Sequence, residues 1–169
     1  DIGCGPGTVL RMIREKRCDL ILDGIDIDPK MIAIAHAKSQ GMNIAYRVAS
    51  AGDLPFAEHM TNLALSSMVF HHLPSEIKKA AFREVQRVLK PQGEFLLSDF
   101  SKNEHGTTGF RRNVWKFHAA ILSLIEPEVQ PQLAGQIFDL AHELGAHIET
   151  LSFPRVLVGL HSIRFPRST

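Results

Sequence analysis

The chain has 169 residues, of which 44% are apolar and 22% charged, with 19 basic against 18 acidic side chains and a formal net charge of +1. A chain of this length buries about 70% of its unfolded surface around one core, so one domain is expected over 1–169. The near-neutral balance excludes a disordered acidic or basic tail and gives no general basic face for nucleic acid or a membrane surface.

The first residue is Asp1, and the chain begins inside a glycine loop, Asp1-Ile2-Gly3-Cys4-Gly5-Pro6-Gly7. We therefore expect an N-terminally truncated piece whose first strand is largely missing. Pro6 to Lys16 reads as a helix with Val9, Leu10 and Ile13 as its stripe. Leu20 to Ile25 is a short apolar run and reads as a buried strand. Asp28-Pro29 starts the next helix: the carboxylate accepts free first-turn amides, and proline there loses no hydrogen bond. Gly41 is placed as the left-handed cap that closes it.

Asn43 to Ala49 and Asn62 to Met68 are the next strands, and any helix between them is reduced to the loop at 54–60. Ser75 to Leu89 is an amphipathic helix. Lys90-Pro91-Gln92-Gly93 suits a type I turn, and Glu94 to Asp99 is a strand. Two helical stripes follow, Phe110 to Leu124 and Leu133 to Leu144, the second ending at Gly145. Strands near His147 to Ser152 and Val156 to Arg164 are too close in sequence for a crossover, so they pair as an antiparallel hairpin. Alternating strands and helices before them imply a mainly parallel sheet.

Glycines in the first loop allow positive φ and close approach of a ligand, and a helix N-terminus behind them favours electron-rich atoms. Thr8 stands where a G-x-G-x-x-G dinucleotide fingerprint needs its last glycine, which weakens a nicotinamide or flavin reading. Asp26 closes the following strand, where an acidic residue reaches ribose hydroxyls.

Five segments in order carry a family resemblance: D-I-G-C-G-P-G, G-I-D-I-D-P-K-M, A-G-D-L-P-F, N-L-A-L-S-S-M-V-F-H-H-L and E-V-Q-R-V-L-K-P-Q-G-E-F-L-L-S-D. They resemble the motifs of class I S-adenosylmethionine-dependent methyltransferases, within the type 11 group that includes ubiquinone/menaquinone C-methyltransferases. The resemblance covers residues 1 to about 100 well and extends to the C-terminal hairpin; 101–135 match only as a variable helical insert or lid. It implies a Rossmann-like, doubly wound α/β sheet of order 3-2-1-4-5-7-6. A gap or foreign filling is then expected between the second and fourth strands.

The same resemblance implies the site residues. Asp1, Gly3, Gly5 and Gly7 would surround the methionine part of S-adenosylmethionine, and Asp26 would bind both ribose hydroxyls. Ile27 and Met31 would pack on the adenine, although Met31 equally suits core filling. Ser50 and Ala51 would lie at the adenine edge, and Ser66 beside the sulfonium. Ser50 and Asn62 stand where the family usually has Asp, and Gln92 replaces the first glycine of its Pro-Gly-Gly turn.

Methyl transfer from a sulfonium is an in-line displacement, so the protein mainly positions two reactants and excludes water. A base is needed only when the acceptor loses a proton. His71, His72 and Asp99 are candidates at the strand ends; a loop histidine capping backbone is the competing reading. His105 and His118 belong to the insert, and the stretch 110–125 carries Arg111, Arg112, Trp115 and Lys116 as a lid over an apolar acceptor, a membrane-touching surface, a dimer contact or an amphipathic helix covering the sheet edge.

No metal is expected. His142-Glu143 with His147 has one residue too many for H-E-x-x-H and crosses Gly145, where the helix should end. Cys4 reads as a small loop residue, and Cys4 and Cys18 are too few for a disulfide scaffold, which fits the cytoplasm. No apolar run approaches the roughly 20 residues of a membrane span. The expected partner is a small-molecule methyl acceptor and not nucleic acid. A nucleotide-cofactor oxidoreductase and a non-catalytic cofactor-binding scaffold are the alternatives.

Overall fold

The computed structural model describes residues 1–100, 136–155 and 158–166. The expected insert at 101–135, with the stripe from Phe110 and residues His105 and His118, lies outside the described residues. Among the described residues, α1 (Thr8–Lys16), β1 (Asp23–Asp26), α2 (Pro29–Lys38) and β2 (Ala45–Val48) come first. β3 (Thr61–Ser67), a short 3-10 turn (Phe70–His72), α3 (Ser75–Val88) and β4 (Leu89–Phe100) follow. The chain closes with α4 (Gln136–Glu143), β5 (His147–Arg155) and β6 (Val158–Arg164).

β1 pairs with β2 in parallel, and β3 with β4 in parallel; β6 lies antiparallel between β4 and β5. Between β1 and β3 runs the segment Asp1–Cys4. On one side Ile25 N donates to Asp1 O (2.9 Å) and Cys4 N donates to Ile25 O (2.8 Å). On the other, Ile2 N donates to Leu65 O and Ser66 Oγ to Ile2 O, both at 2.8 Å. Counting this segment as the first strand gives the expected order 3-2-1-4-5-7-6. The expected gap is bridged, because the few residues present already bond to both neighbours.

Alternation along β1 sends Gly24 towards Leu10, Tyr46 and Cys4, and Ile25 to the opposite face. Two clusters result. The smaller holds Cys4, Leu10, Leu22, Ile32, Ala35 and Tyr46, between α1, α2 and the two-stranded part. The larger packs α3 and α4 on the four-stranded part, with Phe70, Phe82 and Phe95 in mutual ring contact at its centre.

Asp28 caps α2 as expected, its side chain accepting from Lys30 N, and Pro29 takes the first helical position. Gly41 is left-handed (φ 76°), but α2 ends three residues earlier, after Lys38. α4 ends in a Schellman motif: Gly145 is left-handed, Gly145 N donates to His142 O, and Ala146 N donates to Ala141 O. This turn puts His142 on a helix and His147 on a strand, so they share no helical face. β1 starts at Asp23, later than the expected Leu20, because the Arg14 guanidinium bonds the carbonyls of Cys18 and Leu20.

The turn at 90–93 departs from expectation. Gln92 has φ 70°, whereas the third place of a type I turn needs a negative φ near −90°. A positive φ after proline belongs to a type II turn, where glycine is usual.

Candidate active site

The glycine loop joins the Asp1–Cys4 segment to α1. Gly3, Gly5 and Gly7 all have positive φ, at 71°, 51° and 75°. Each lies in a region that costs other residues about 1–2 kcal/mol. Their surroundings differ. A Cβ on Gly3 would stand 2.4 Å from Val69 Cγ2, and one on Gly7 would stand 2.4 Å from the Tyr46 hydroxyl. On Gly5 a Cβ would meet nothing within 4 Å. The loop is thus walled at both ends by protein and open in the middle.

Asp26 stands beside that opening. Its Oδ2 accepts from Gly5 N at 2.8 Å and its Oδ1 from Asp28 N at 2.9 Å. One carboxylate therefore ties the glycine loop to the start of α2. An ionised carboxylate has about four acceptor sites, so both oxygens keep a lone pair for a further donor. Ile27, next in the chain, is 74% exposed. Met31 is half-buried in the first turn of α2.

Ala49 N donates to Asp26 O (3.0 Å), which brings the end of β2 to the same place. Ser50 and Ala51 follow, both half-buried; Ser50 Oγ accepts from Gly52 N. The loop after them is clamped by α3. Arg87 donates to the carbonyls of Leu54 and Phe56 and to both oxygens of Glu84, while Glu84 accepts from Leu54 N. The Arg87 hydrogen bond holds the Glu84 carboxyl below its usual range. The i, i+3 spacing of this pair is visible in the sequence, but the loop carbonyls it holds lie some thirty residues away.

Asp1, Ser66 and Cys4 are tied to backbone. Ser66 is 2% exposed and its hydroxyl is engaged with Ile2 O. The Cys4 thiol donates to Gly5 O, and burial, with the Asp26 carboxylate second, pushes it up to about 11. It is a thiol at neutral pH, in line with the reading of a loop residue and not a nucleophile.

At the carboxyl ends of β3 and β4 the structure brings His71 and Asp99 together. His71 Nδ1 bonds Asp99 Oδ1 at 2.7 Å, and His71 N donates to Asp99 Oδ2 at 3.2 Å. Phe100 N also donates to Asp99 Oδ1. Asp99 is closed to solvent, whereas the His71 side chain keeps 4% exposure. His72 is exposed and its ring lies 3.8 Å from that of His71. Val69, the residue that walls Gly3, begins this turn: His72 N donates to its carbonyl.

A buried histidine on β6 carries no signal in the sequence. His161 on β6 is 1% exposed, bonds Thr150 Oγ1 and meets the Phe138 ring edge-on. Burial lowers its pKa, against a smaller opposing effect of Asp99.

Strand order, glycine loop and the acidic end of β1 together define a Rossmann-like α/β domain. A family model described as a methyltransferase domain matches residues 1–93, more than half of the chain, and the protein belongs to that family. Among curated relatives, it is 29% identical over 143 residues to the ubiquinone/menaquinone biosynthesis C-methyltransferase UbiE of Rickettsia peacockii, covering 80% of this chain and 54% of that protein. It is 35% identical over 109 residues to a tRNA (carboxymethyluridine(34)-5-O)-methyltransferase of Arabidopsis thaliana, covering 64% and 25%. The chain thus spans from a quarter to about half the length of these relatives. The solved PH0226 protein of Pyrococcus horikoshii has the same fold, with TM-score 0.73 at 19% identity over 98% of this chain and 81% of that one.

Proposed function

We propose that this protein transfers a methyl group from S-adenosylmethionine to a small-molecule acceptor by in-line displacement. The observation that carries the reading is the opening at Gly5, with the Asp26 carboxylate beside it and a lone pair left on each oxygen. The residues present fit the cofactor. Asp1, Gly3, Gly5 and Gly7 would hold its methionine part by backbone, and Asp26 its ribose diol. Ile27 and Met31 would cover the adenine, with Ser50 and Ala51 at its edge; the Ile27 side chain is accessible for that contact. Ser66 would act behind this shell, holding Ile2 in place.

When bound, the cofactor supplies an activated methyl group on a sulfonium. The protein then orients the acceptor in line, excludes water and, where the acceptor carries a proton, removes it. We place this chemistry in the cytoplasm, supported by two cysteines that form no disulfide. Among the described residues no helix is long and apolar enough to cross a membrane. The single-domain organisation, with 101–135 as insert or lid, belongs to the same proposal.

Calorimetry with S-adenosylmethionine, S-adenosylhomocysteine and NAD tests the cofactor. Binding of the first two and not the third is expected. Asp26→Ala should weaken S-adenosylmethionine at least about 100-fold, since two charge-assisted hydrogen bonds are lost. Unchanged affinity in that variant would sink the ribose assignment. NAD binding would favour the oxidoreductase, and methylation of tRNA alone would replace the small-molecule acceptor.

A further inference from the structure

We propose that Tyr46 is a positioning residue for the cofactor. From behind the glycine loop its hydroxyl sets where Gly7 and the first turn of α1 stand, and so governs how tightly the methionine part of S-adenosylmethionine is held. The inference rests on the methyl-transfer reading above.

Gly7 is the N-cap of α1 and is left-handed, and no side chain caps that helix start. The first-turn amides of a helix have no partner within it, so their direction depends on the residue that leads in. Tyr46 meets Gly7 from β2. A Cβ on Gly7 would stand 2.4 Å from the Tyr46 hydroxyl and 2.8 Å from its Cζ. The ring cannot back away. It is buried, and a Cβ on Gly24 of β1 would stand 2.8 Å from its Cδ1. The His36 ring meets it edge-on, with centroids 5.4 Å apart. Its hydroxyl lies 2.9 Å from Ser39 Oγ, a hydrogen bond that gives each buried hydroxyl a partner.

Ser39 is the C-cap of α2, and Asp28 is its N-cap. The helix therefore braces the glycine loop at both of its ends. At its start, Asp26 accepts from Asp28 N and from Gly5 N. At its end, Ser39 holds Tyr46, and Tyr46 backs Gly7. These braces serve different parts of the ligand. Asp26 is assigned to the ribose, while Gly7 belongs to the group assigned to the methionine part. Loss of the Tyr46 hydroxyl removes the wall behind Gly7. The loop must then be ordered at the expense of binding energy, a cost that preorganisation avoids. The serine left behind can turn its hydroxyl to a carbonyl of the preceding helical turn, so Tyr46→Phe should fold.

Calorimetry on the full chain with two probes tests this. S-adenosylhomocysteine carries the amino-acid part, 5′-methylthioadenosine lacks it, and both carry the same ribose and adenine. Tyr46→Phe should weaken S-adenosylhomocysteine about tenfold and leave methylthioadenosine within about threefold of wild type. Ser39→Ala removes the same hydrogen bond but keeps the hydroxyl behind Gly7. It should lower the melting temperature by as much as Tyr46→Phe does and leave both affinities within about threefold. Fluorine NMR gives a reading that needs no variant. Tyr46 is the only tyrosine of the chain, so 3-fluorotyrosine labels it alone. Its resonance should move when S-adenosylhomocysteine binds, and less with methylthioadenosine. Equal losses for the two probes, equal losses in the two variants, or a Tyr46→Phe affinity within about threefold of wild type overturns the proposal. Should Tyr46→Phe fail to fold, the fluorine signal decides, and an unmoved resonance overturns it. A wild-type chain that binds neither probe overturns the cofactor reading first, and this inference with it.

Discussion

The two halves of the molecule are held in different ways. Around α1, α2, β1 and β2, six of the described residues form a small buried cluster, and the ordering comes from backbone: three left-handed glycines and one carboxylate that accepts two amides. Centred on β3 to β6, the larger core encloses buried polar groups, among them His71, Asp99 and His161. Ordering by backbone leaves little to pack, while buried polar side chains are fixed by the rigid walls around them. The first half suits binding; the second suits placing a side chain.

The comparison is broken most strongly at the centre of the larger core. Phe82 is fully buried and contacts both Phe70 and Phe95 edge-on. Phe82→Ala should cost about 4 kcal/mol in urea unfolding, through lost transfer energy and the cavity left behind. A loss below about 2 kcal/mol would mean that the small cluster, not this core, sets global stability.

The glycines sharpen the other side. Gly7→Ala forces a left-handed alanine against the Tyr46 hydroxyl, which is held by Ser39 Oγ at 2.9 Å and has little room to move. About 2–3 kcal/mol of stability should be lost. Gly5→Ala meets open space and should cost only about 1 kcal/mol from its φ. Its new methyl group would instead fill the opening, so cofactor affinity should fall by more than stability does. Thermal melts and calorimetry on both variants separate walls from cradle; equal behaviour would erase the distinction.

A smaller effect is expected at the Glu84–Arg87 clamp, which is partly exposed. Arg87→Ala removes bonds to two loop carbonyls and should cost about 1.5 kcal/mol by denaturant titration. His161 gives a pH signature in the same half. Its native pKa is lowered by burial, so the unfolded chain binds the proton better. Stability is then complete above the ordinary histidine value of 6.5 and falls as pH drops below it. His161→Asn should flatten that acid-side decline in melting temperature, and an unchanged decline would assign it to other groups.

Legibility in the sequence followed the same division. Asp26, Asp28 with Pro29, and the glycine loop act on residues close in sequence or within one strand–helix unit, so spacing alone locates them. The strand order followed from the family resemblance, whereas the alternation of elements alone establishes only a mainly parallel sheet with an antiparallel hairpin. His71 and Asp99 were recognisable separately as strand-end residues, but their pairing spans 28 positions and depends on the β3–β4 register. His161 had no signal at all: its neighbours Thr150 and Phe138 come from other elements. The start of β1 was read too early where the Arg14 side chain captures the carbonyls of Cys18 and Leu20, and Gly41 shows that a left-handed glycine can follow a helix without closing it.

Gln92 is the smallest effect and the one where local reading failed outright. Lys90-Pro91-Gln92-Gly93 satisfies type I statistics at each place, yet Gln92 is left-handed. The cause is tertiary. β4 starts at Leu89 opposite Thr61 and resumes pairing at Glu94 opposite Leu63, so the turn must absorb extra residues between two fixed rungs. A left-handed residue there takes up the surplus chain between the two rungs without changing the strand's direction, and glutamine bears the strain. Gly93 cannot take over by moving: its own Cβ position is 2.8 Å from Lys90 O and 3.2 Å from Asn62 O, so that site is already reserved for glycine. Gln92→Gly should therefore stabilise the protein by about 1 kcal/mol, the relief of φ strain less the extra freedom of glycine in the unfolded chain. A rise in melting temperature with no change in cofactor affinity is expected, because the turn lies at the opposite end of β4 from Asp99. Destabilisation would show that the register, rather than the turn residue, carries the cost.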